Sequence, residues 1–214
     1  MEFIHLIIDF ILHIDKHLAE LISQYGILIY AILFLIIFSE TAFVVTPFLP
    51  GDSLLFAAGA LAANEATELN IILLALIMII AAVTGNMVNY QIGRWLGPRA
   101  FEIDKWFLKK RNLERTREFF GKHGKLAIVL SRFMPIIRTF APFVAGVGKM
   151  PYRSFTVYNI AGGATWVLIF LLIGYIFGNI PFVKEHFSYI VISIIFVSFI
   201  PVLLALLKGR KVRV

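Results

Sequence analysis

The sequence has no cysteine among its 214 residues, and only 15% of its residues carry a charge. The absence of cysteine excludes disulfide bonds, thiol catalysis and cysteine-ligated zinc. The shortage of charge leaves far more apolar surface than a soluble core of this length needs, since 60% of the residues are hydrophobic and the mean hydropathy is +0.88. The composition therefore indicates an all-α polytopic membrane protein.

The amino-terminal segment lacks the basic region and the small-residue cleavage site of a secretory signal peptide. Residues 1–24 instead place their charged side chains at intervals of three and four, on one side of a helix. We interpret this segment as an amphipathic interfacial helix that stays on the mature protein. Asp9, His13 and His17 also have the spacing of metal ligands, but a solvated polar face explains them equally well. We expect no metal site and no cofactor.

Two later segments, residues 69–93 and 153–178, are long enough to cross about 30 Å of hydrocarbon. A third, residues 187–207, is almost purely apolar and ends at a basic tail, residues 208–214. We therefore predict three spanning helices.

Four shorter apolar pieces cannot cross a membrane alone, and these are residues 27–39, 53–63, 126–134 and 139–148. They are paired around two breaks, whose residues are Pro47, Pro50 and Gly51 in the first and Pro135 and Pro142 in the second. Proline and glycine interrupt helices. Each pair therefore predicts a re-entrant helical hairpin that returns to its own side of the membrane.

The distribution of Lys and Arg predicts the orientation of the chain. With the tail taken as cytoplasmic, sixteen of the twenty Lys and Arg residues fall on that side, and only Lys16 and Lys184 fall on the other. This is a strong positive-inside signal. It places the basic, aromatic-rich segment 101–125 on the inner leaflet. No nucleic-acid-binding motif accompanies the net charge of +7, so we expect no nucleic-acid partner.

The order of these segments repeats along the chain. The first hairpin precedes a span that ends Ile-Gly-Arg-Trp-Leu-Gly, and the second precedes a span that ends Ile-Gly-Tyr-Ile-Phe-Gly. The two hairpins are predicted to enter from opposite sides. We therefore predict an inverted repeat, with repeat 1 at 27–97 and repeat 2 at 126–178, inside one transport domain at 25–207. In transporters built this way the site lies at the midplane, where the helix breaks meet.

Four ionisable side chains lie near the predicted breaks: Glu40 and Asp52 in the first hairpin, and Arg132 and Arg138 in the second. A charge at bilayer depth costs roughly 2.5 to 3.5 kcal/mol on insertion scales, and opposed charges at two meeting tips would offset one another. Arginine has a planar fork that suits phosphate, and a buried carboxylate can exchange a proton. The alternative is that the acids are only structural partners of the arginines.

Polar residues beside the charges complete the predicted site. Ser53 and Thr139 begin the second arms and are acceptable N-caps, so two helix N-termini would direct their N–H groups toward the same point. We therefore assign them to the phosphate site with the arginines. Asn86 and Asn89, in the first span, are candidates to line it.

The chain resembles the DedA family, also called the VTT or SNARE-associated domain family, over nearly its whole length. Glu40, the run FLPGDSLL at 48–55, the element GRWLG at 93–97 and the segment RFMPIIRTFAPFVAG at 132–146 carry the resemblance. It implies a bacterial inner-membrane lipid transporter of the kind that flips undecaprenyl phosphate or phosphatidylethanolamine. It also implies a link to the proton motive force, with the two acids and two arginines as essential residues.

The favoured hypothesis is a flippase-like or scramblase-like transporter with membrane lipids and protons as its partners, in which the arginines hold a lipid phosphate and the acids exchange protons. The second hypothesis is a proton-coupled exporter of small cations or drugs, in which the acids bind the substrate. A membrane enzyme such as a lipid phosphatase is the third, but no nucleophile lies beside a His in the predicted core, so we expect no enzymatic activity. The sequence is also compatible with a homo-oligomer and with a packing role in envelope assembly.

A cysteine introduced at residues 65–68 should react with a membrane-impermeant thiol reagent from the periplasm, and one at 110–118 only from the cytoplasm. The reason is the sixteen-to-two distribution of Lys and Arg between the two sides. Labelling of intact cells and of inverted vesicles measures this. Reactivity of both positions from the same side would contradict the inverted arrangement.

Overall fold

The computed structural model describes residues 26–43, 51–64, 67, 69–97, 110–178, 180–187, 189–190 and 193–194. Within these ranges the chain forms helices and turns and contains no strand. The predicted interfacial helix at 1–24, with its Asp9, His13 and His17, lies outside the described residues. So do Pro47, Pro50, most of the third predicted span and the basic tail.

The described part contains eight α-helices, and a 3-10 turn at Gly124–Leu126 precedes the fifth. In chain order they are α1 (Leu28–Ala42), α2 (Gly51–Ala62), α3 (Ile71–Leu96), α4 (Lys110–His123), α5 (Ala127–Ser131), α6 (Pro135–Val147), α7 (Tyr152–Phe177) and α8 (Pro181–Glu185).

Helices α3 and α7 correspond to the spans predicted at 69–93 and 153–178, and both are long and apolar enough to cross a membrane. Each turns large apolar side chains outward: Ile72, Leu76, Ile80 and Val88 on α3, and Ile160, Leu168, Leu172 and Ile176 on α7. An exposed apolar face of this extent is unfavourable in water and favourable in hydrocarbon. Length and surface therefore agree with two membrane-crossing helices.

The first arms of the predicted hairpins, α1 and α5, pack on the long helix of their own repeat, α1 on α3 and α5 on α7. Ile29, Leu33 and Ile37 of α1 are fully buried in one apolar cluster with Leu74 and Met78 of α3. The Tyr30 hydroxyl accepts a hydrogen bond of 2.8 Å from the backbone N–H of Asn70, whose own side chain caps α3. The start of α3 is thus tied to α1.

The second arms begin earlier than the sequence analysis predicts. Helix α2 starts at Gly51 and α6 starts at Pro135, so the prediction that Ser53 and Thr139 are N-caps is wrong. Proline is favourable at the first helical position, because its fixed φ fits the helix and its missing N–H would have no partner there. Pro135 therefore begins α6 and is not merely a break.

The prediction that the second break extends to Pro142 is also wrong, because Pro142 lies inside α6. The break is the turn at 132–134, where the N–H of each residue bonds to the carbonyl three residues earlier. Met134 is extended, as the residue before a proline tends to be. This turn places Arg132 at the end of α5 and Arg138 one turn into α6.

The second arm of repeat 1 packs on the long helix of repeat 2. Gly59 of α2 faces the backbone of Leu171 in α7, and Gly174 of α7 faces the backbone of Phe56 in α2. A Cβ at either glycine would overlap a carbonyl oxygen of the other helix. The two helices are therefore in backbone contact, as in membrane helices that pack through small residues.

The same contact recurs between α6 and α3, where Gly146 faces the backbone of Tyr90 and Gly93 faces that of Phe143. In all four helices the glycine follows the contacted carbonyl of its own helix by three residues. The matched register pairs Gly59 with Gly146 and Gly93 with Gly174, and the second pair is the first glycine of the two Ile-Gly elements that end the predicted spans. It supports an internal duplication in which the two repeats exchange their second arms.

We expect Gly146→Val to lower the melting temperature of the purified protein, because the new side chain would meet the backbone of α3. Overpacking of this kind costs about 1 to 3 kcal/mol or more. Gly121→Val in α4 is the control, since a side chain there meets nothing within 4 Å. Thermal unfolding in detergent measures both variants, and equal melting temperatures would contradict the close contact between α6 and α3.

Candidate functional site

Helices α1, α2 and α6 bring three charged side chains together. Glu40 lies near the end of α1, Asp52 is the second residue of α2, and Arg138 is the fourth residue of α6. Arg138 donates from Nη2 to Glu40 Oε1, and from Nη1 to Asp52 Oδ1 at 2.8 Å. One guanidinium thus binds both carboxylates, and the two predicted hairpins meet at this residue.

These three side chains are largely buried. The exposed fraction is 2% for the Glu40 side chain, 12% for Asp52 and 13% for Arg138. Burial of a charge is costly unless an opposite charge and hydrogen bonds compensate it. The bridging geometry of Arg138 supplies both for the two acids.

Gly51 makes room for this cluster at the start of α2. A Cβ at Gly51 would overlap the Glu40 carboxylate. Any larger residue at this position would have to displace Glu40 from Arg138. The glycine that the sequence analysis assigned to the helix break therefore also sets the approach of α2 to the acid.

Arg132 is buried, with 3% of its surface exposed, and it has a different set of partners. Its Nη2 donates to the side-chain oxygen of Asn159 at 2.8 Å and to the carbonyl of Ala82 at 3.1 Å. Its Nε has no hydrogen-bond partner among the described residues, and within them it makes no ion pair. Neutral groups therefore hold Arg132, and no described carboxylate cancels its charge directly.

Asn159 of α7 organises the surroundings of Arg132. Its Oδ1 accepts from Arg132 and also from Asn86 Nδ2 at 3.0 Å, while its Nδ2 donates to the carbonyl of Val83 at 3.0 Å. Glycines at 162 and 163 lie beside the guanidinium, and a Cβ at Gly163 would come within 3.3 Å of Arg132 Nη2. Helix α7 thus provides a fitted space for this side chain.

Asn89, predicted to line the site, braces the helices around it. Its Nδ2 donates to the carbonyl of Thr41 in α1 at 3.2 Å and to that of Thr139 in α6 at 2.9 Å. Both bonds are buried. Asn89 therefore fixes α1 and α6 against α3 on either side of the charged cluster.

Trp166 of α7 binds Asp52 and lies near both arginines. Its indole Nε1 donates to Asp52 Oδ1 at 2.8 Å. Its ring centroid lies 5.9 Å from the Cζ atom of Arg132 and 5.5 Å from that of Arg138, within the range of cation–π attraction.

A small cavity of about 10 Å³, roughly the space of one water molecule, lies among these groups. The residues that line it are Glu40, Thr41, Asn86, Arg132, Arg138, Thr139 and Trp166. Ser53, predicted as a phosphate-binding residue, is buried within α2 and is not one of the lining residues. The structure therefore brings Thr139 and Asn86 to the cavity with Glu40, Arg132 and Arg138, whereas the predicted site residues Asp52, Asn89 and Ser53 do not line it.

The sequence analysis missed Asn159 and Trp166. Asn159, Gly162, Gly163 and Trp166 follow one another at intervals of three, one and three, so they share one face of α7, and all four are buried. A polar Asn and adjacent small residues within an apolar span were the available signal, since they mark a helix face that contacts protein rather than lipid.

No group of three or more His, Asp or Glu residues suited to a metal ion occurs among the described residues. Glu40, the carboxylate that lines the cavity, is already bound to Arg138.

Comparison with known proteins identifies the family of the chain. The VTT domain matches residues 49–176. The protein named DedA from Escherichia coli (strain K12) is 50% identical over 212 residues, which cover 99% of this chain and 97% of the relative. The chain belongs to the DedA family. No solved structure matches it.

Other members of the family are named as membrane proteins. An uncharacterized membrane protein of Mycobacterium tuberculosis (strain ATCC 25618 / H37Rv) is 41% identical over 180 residues, covering 84% of this chain and 79% of the relative. The inner membrane protein YghB of Escherichia coli (strain K12) is 34% identical over 180 residues, which cover 83% of this chain and 78% of the relative. The names of these relatives and the two long apolar helices α3 and α7 together show that this DedA-family chain is a membrane protein.

Proposed function

We propose that this protein moves a phosphate-headed lipid, such as undecaprenyl phosphate or phosphatidylethanolamine, across the bacterial inner membrane in exchange for protons. The observation that carries the proposal is Arg132, a buried guanidinium held by neutral groups in a cavity inside a membrane protein. A buried cation without a direct counter-charge favours an anionic ligand. Arginine suits phosphate in particular, because its fork can donate two parallel hydrogen bonds.

Arg138 supplies the second half of the phosphate site and links it to the acids. In the structure its guanidinium is occupied by Glu40 and Asp52. Protonation of either carboxylate would weaken its hold on Arg138, and a phosphate could then take the place of that carboxylate. Competition between carboxylate and phosphate for one guanidinium would couple proton binding to lipid binding.

The structure corresponds to a closed state in this mechanism. A cavity with room for about one water does not hold a lipid headgroup, so α2 or α6 has to move for the lipid to enter. Transport then alternates between the ion-paired state and a state in which the headgroup occupies the arginines. The phosphate lies at the helix breaks, while the acyl or prenyl chains stay in the hydrocarbon.

The orientation that we propose places the carboxyl terminus and the segment 101–125 in the cytoplasm. It rests on the distribution of Lys and Arg along the chain. The name of the relative YghB, an inner membrane protein, agrees with the proposed location.

Transport of cations or drugs is the second candidate, and the geometry is less favourable to it. A cation would have to displace Arg138 from two carboxylates at once and would then face Arg132 across the same cavity. Catalysis has less support, because no His lines the cavity to activate a nucleophile. We therefore infer a transporter and not an enzyme.

Substitution of the arginines tests the phosphate site. Arg132→Lys and Arg138→Lys keep the charge but lose the planar fork, so we expect each to weaken lipid transport about tenfold or more, and Ala to abolish it. Arg153→Lys, at an exposed position, is the matched control. The measurement is lipid movement in proteoliposomes at equal protein content.

Combined substitutions separate the two roles of Arg138. Arg138→Gln with Asp52→Asn leaves the charge of Glu40 without its partner, whereas Arg138→Gln with both Asp52→Asn and Glu40→Gln makes all three members of the cluster neutral. If Arg138 only neutralises the acids, the triple variant should regain activity, whereas the phosphate site predicts that both combinations stay inactive. Robust lipid transport by either combination would overturn the proposal that Arg138 binds phosphate.

Glu40→Gln and Asp52→Asn test proton coupling. Both substitutions keep the size of the side chain and remove its titration, so the variant at the proton-carrying position should lose the dependence of transport on a pH gradient. Lipid movement measured with and without the gradient decides this. If both variants keep the wild-type pH profile, the acids are structural partners of the arginines and carry no proton.

A further inference from the structure

We propose that Trp166 is the positioning residue of the transport site, which holds Asp52 and both guanidinium groups so that Arg132 and Arg138 converge on the phosphate of one lipid. The inference rests on the proposed function. It adds a residue that the charged cluster alone does not reveal.

The indole N–H of Trp166 holds Asp52 in addition to Arg138. Asp52 Oδ1 accepts from Trp166 Nε1 at 2.8 Å and from Arg138 Nη1 at 2.8 Å. An indole N–H can only donate, so it favours a carboxylate oxygen as its partner. When a phosphate takes Arg138, Asp52 keeps this second donor and does not have to follow the arginine.

The face of the indole ring lies near both cations. The ring centroid is 5.5 Å from Arg138 Cζ and 5.9 Å from Arg132 Cζ. The negative face of an aromatic ring attracts a guanidinium, most strongly when both are desolvated, and Trp166 is only 1% exposed. One ring therefore helps to hold two like charges in a single cavity, where they would otherwise repel.

The position of Trp166 in the fold explains why one residue can do this. Asp52 comes from the first predicted hairpin and the two arginines come from the second, whereas Trp166 belongs to the long helix α7. Helix α7 already holds α2 through Gly59 and Gly174. Trp166 thus positions both sets of charges against one helix. A binding site that is built on a helix is held more precisely than one built on a loop.

A packing role makes a different prediction from a positioning role. Packing depends on volume, which neither Phe nor Leu keeps, so a packing role predicts a lower melting temperature for both variants, lower for Leu than for Phe, with the KM of the folded protein unchanged. Positioning requires the N–H donor and the ring face, so Phe should lose the first function and Leu should lose both.

Transport kinetics of the full chain in proteoliposomes test this difference. We expect Trp166→Phe to raise the KM for the lipid about tenfold, as expected for loss of a hydrogen bond to a charged group, with a smaller effect on kcat. Trp166→Leu should raise KM further. Trp95→Phe is the control, because Trp95 is 87% exposed on α3. Kinetics of both Trp166 variants equal to those of Trp95→Phe would overturn the inference.

The fluorescence of Trp166 gives a readout that does not depend on transport. With Phe at positions 95 and 106, Trp166 is the only tryptophan of the chain. Asp52→Ala in this background should shift the emission maximum, because the carboxylate beside the indole nitrogen is removed. An unchanged emission would overturn the contact and the inference with it.

Titration of the same single-tryptophan protein with dihexanoyl phosphatidic acid then separates the inference from the proposed function. A saturable change in emission that Arg132→Ala abolishes supports both. A shift with Asp52→Ala but no response to phosphatidic acid would overturn the phosphate-lipid function, and the convergence on phosphate with it, while the contact between Trp166 and Asp52 would stand.

Discussion

The structure depends on one interaction, the binding of two carboxylates by the single, largely buried guanidinium of Arg138. Its three members come from three helices, so the end of α1 and the starts of α2 and α6 have to meet at one point. Removal of one member of a buried ion pair leaves an uncompensated charge, which is far more costly than the pair is stabilising. The requirement for Gly51, whose missing side chain leaves space for Glu40, follows from this constraint.

Arg132 and Arg138 are alike in the sequence but not in the fold. Both were identified as site candidates because ionisable residues in apolar segments are rare and costly, and the same rule identified Glu40 and Asp52. The sequence predicted that the acids and the arginines meet, from opposed charges at two hairpin tips. It did not predict that Arg138 alone binds both acids, because Arg138 lies 86 residues from Asp52 and 98 from Glu40, and local patterns contain no information about such distances. The assignment of Arg132 to Asn159 and a backbone carbonyl was likewise outside the reach of sequence patterns.

The long helices could be predicted to within a few residues, whereas the ends of the short ones could not. Ser53 and Thr139 have suitable side chains for caps, but both lie inside helices, since α2 is helical from Gly51 and α6 begins at Pro135, whose fixed φ suits the first helical position. The face of α7 that contacts the charged cluster was missed for another reason. Apart from Asn159, that face carries glycines and Trp166, so no polar stripe marks it and Trp166 does not stand out from its neighbours.

The exchange of second arms between the repeats also determines the order of assembly during synthesis. Helix α2 finds its backbone contact only on α7, which begins about 90 residues after α2 ends. At about 5 to 20 residues per second, the ribosome needs several seconds to produce that stretch. For most of this interval Glu40 and Asp52 have no Arg138 beside them, and Trp166 follows only after it. The amino-terminal half can therefore reach its final packing only after α7 has emerged, and the two repeats complete their folding together rather than one after the other.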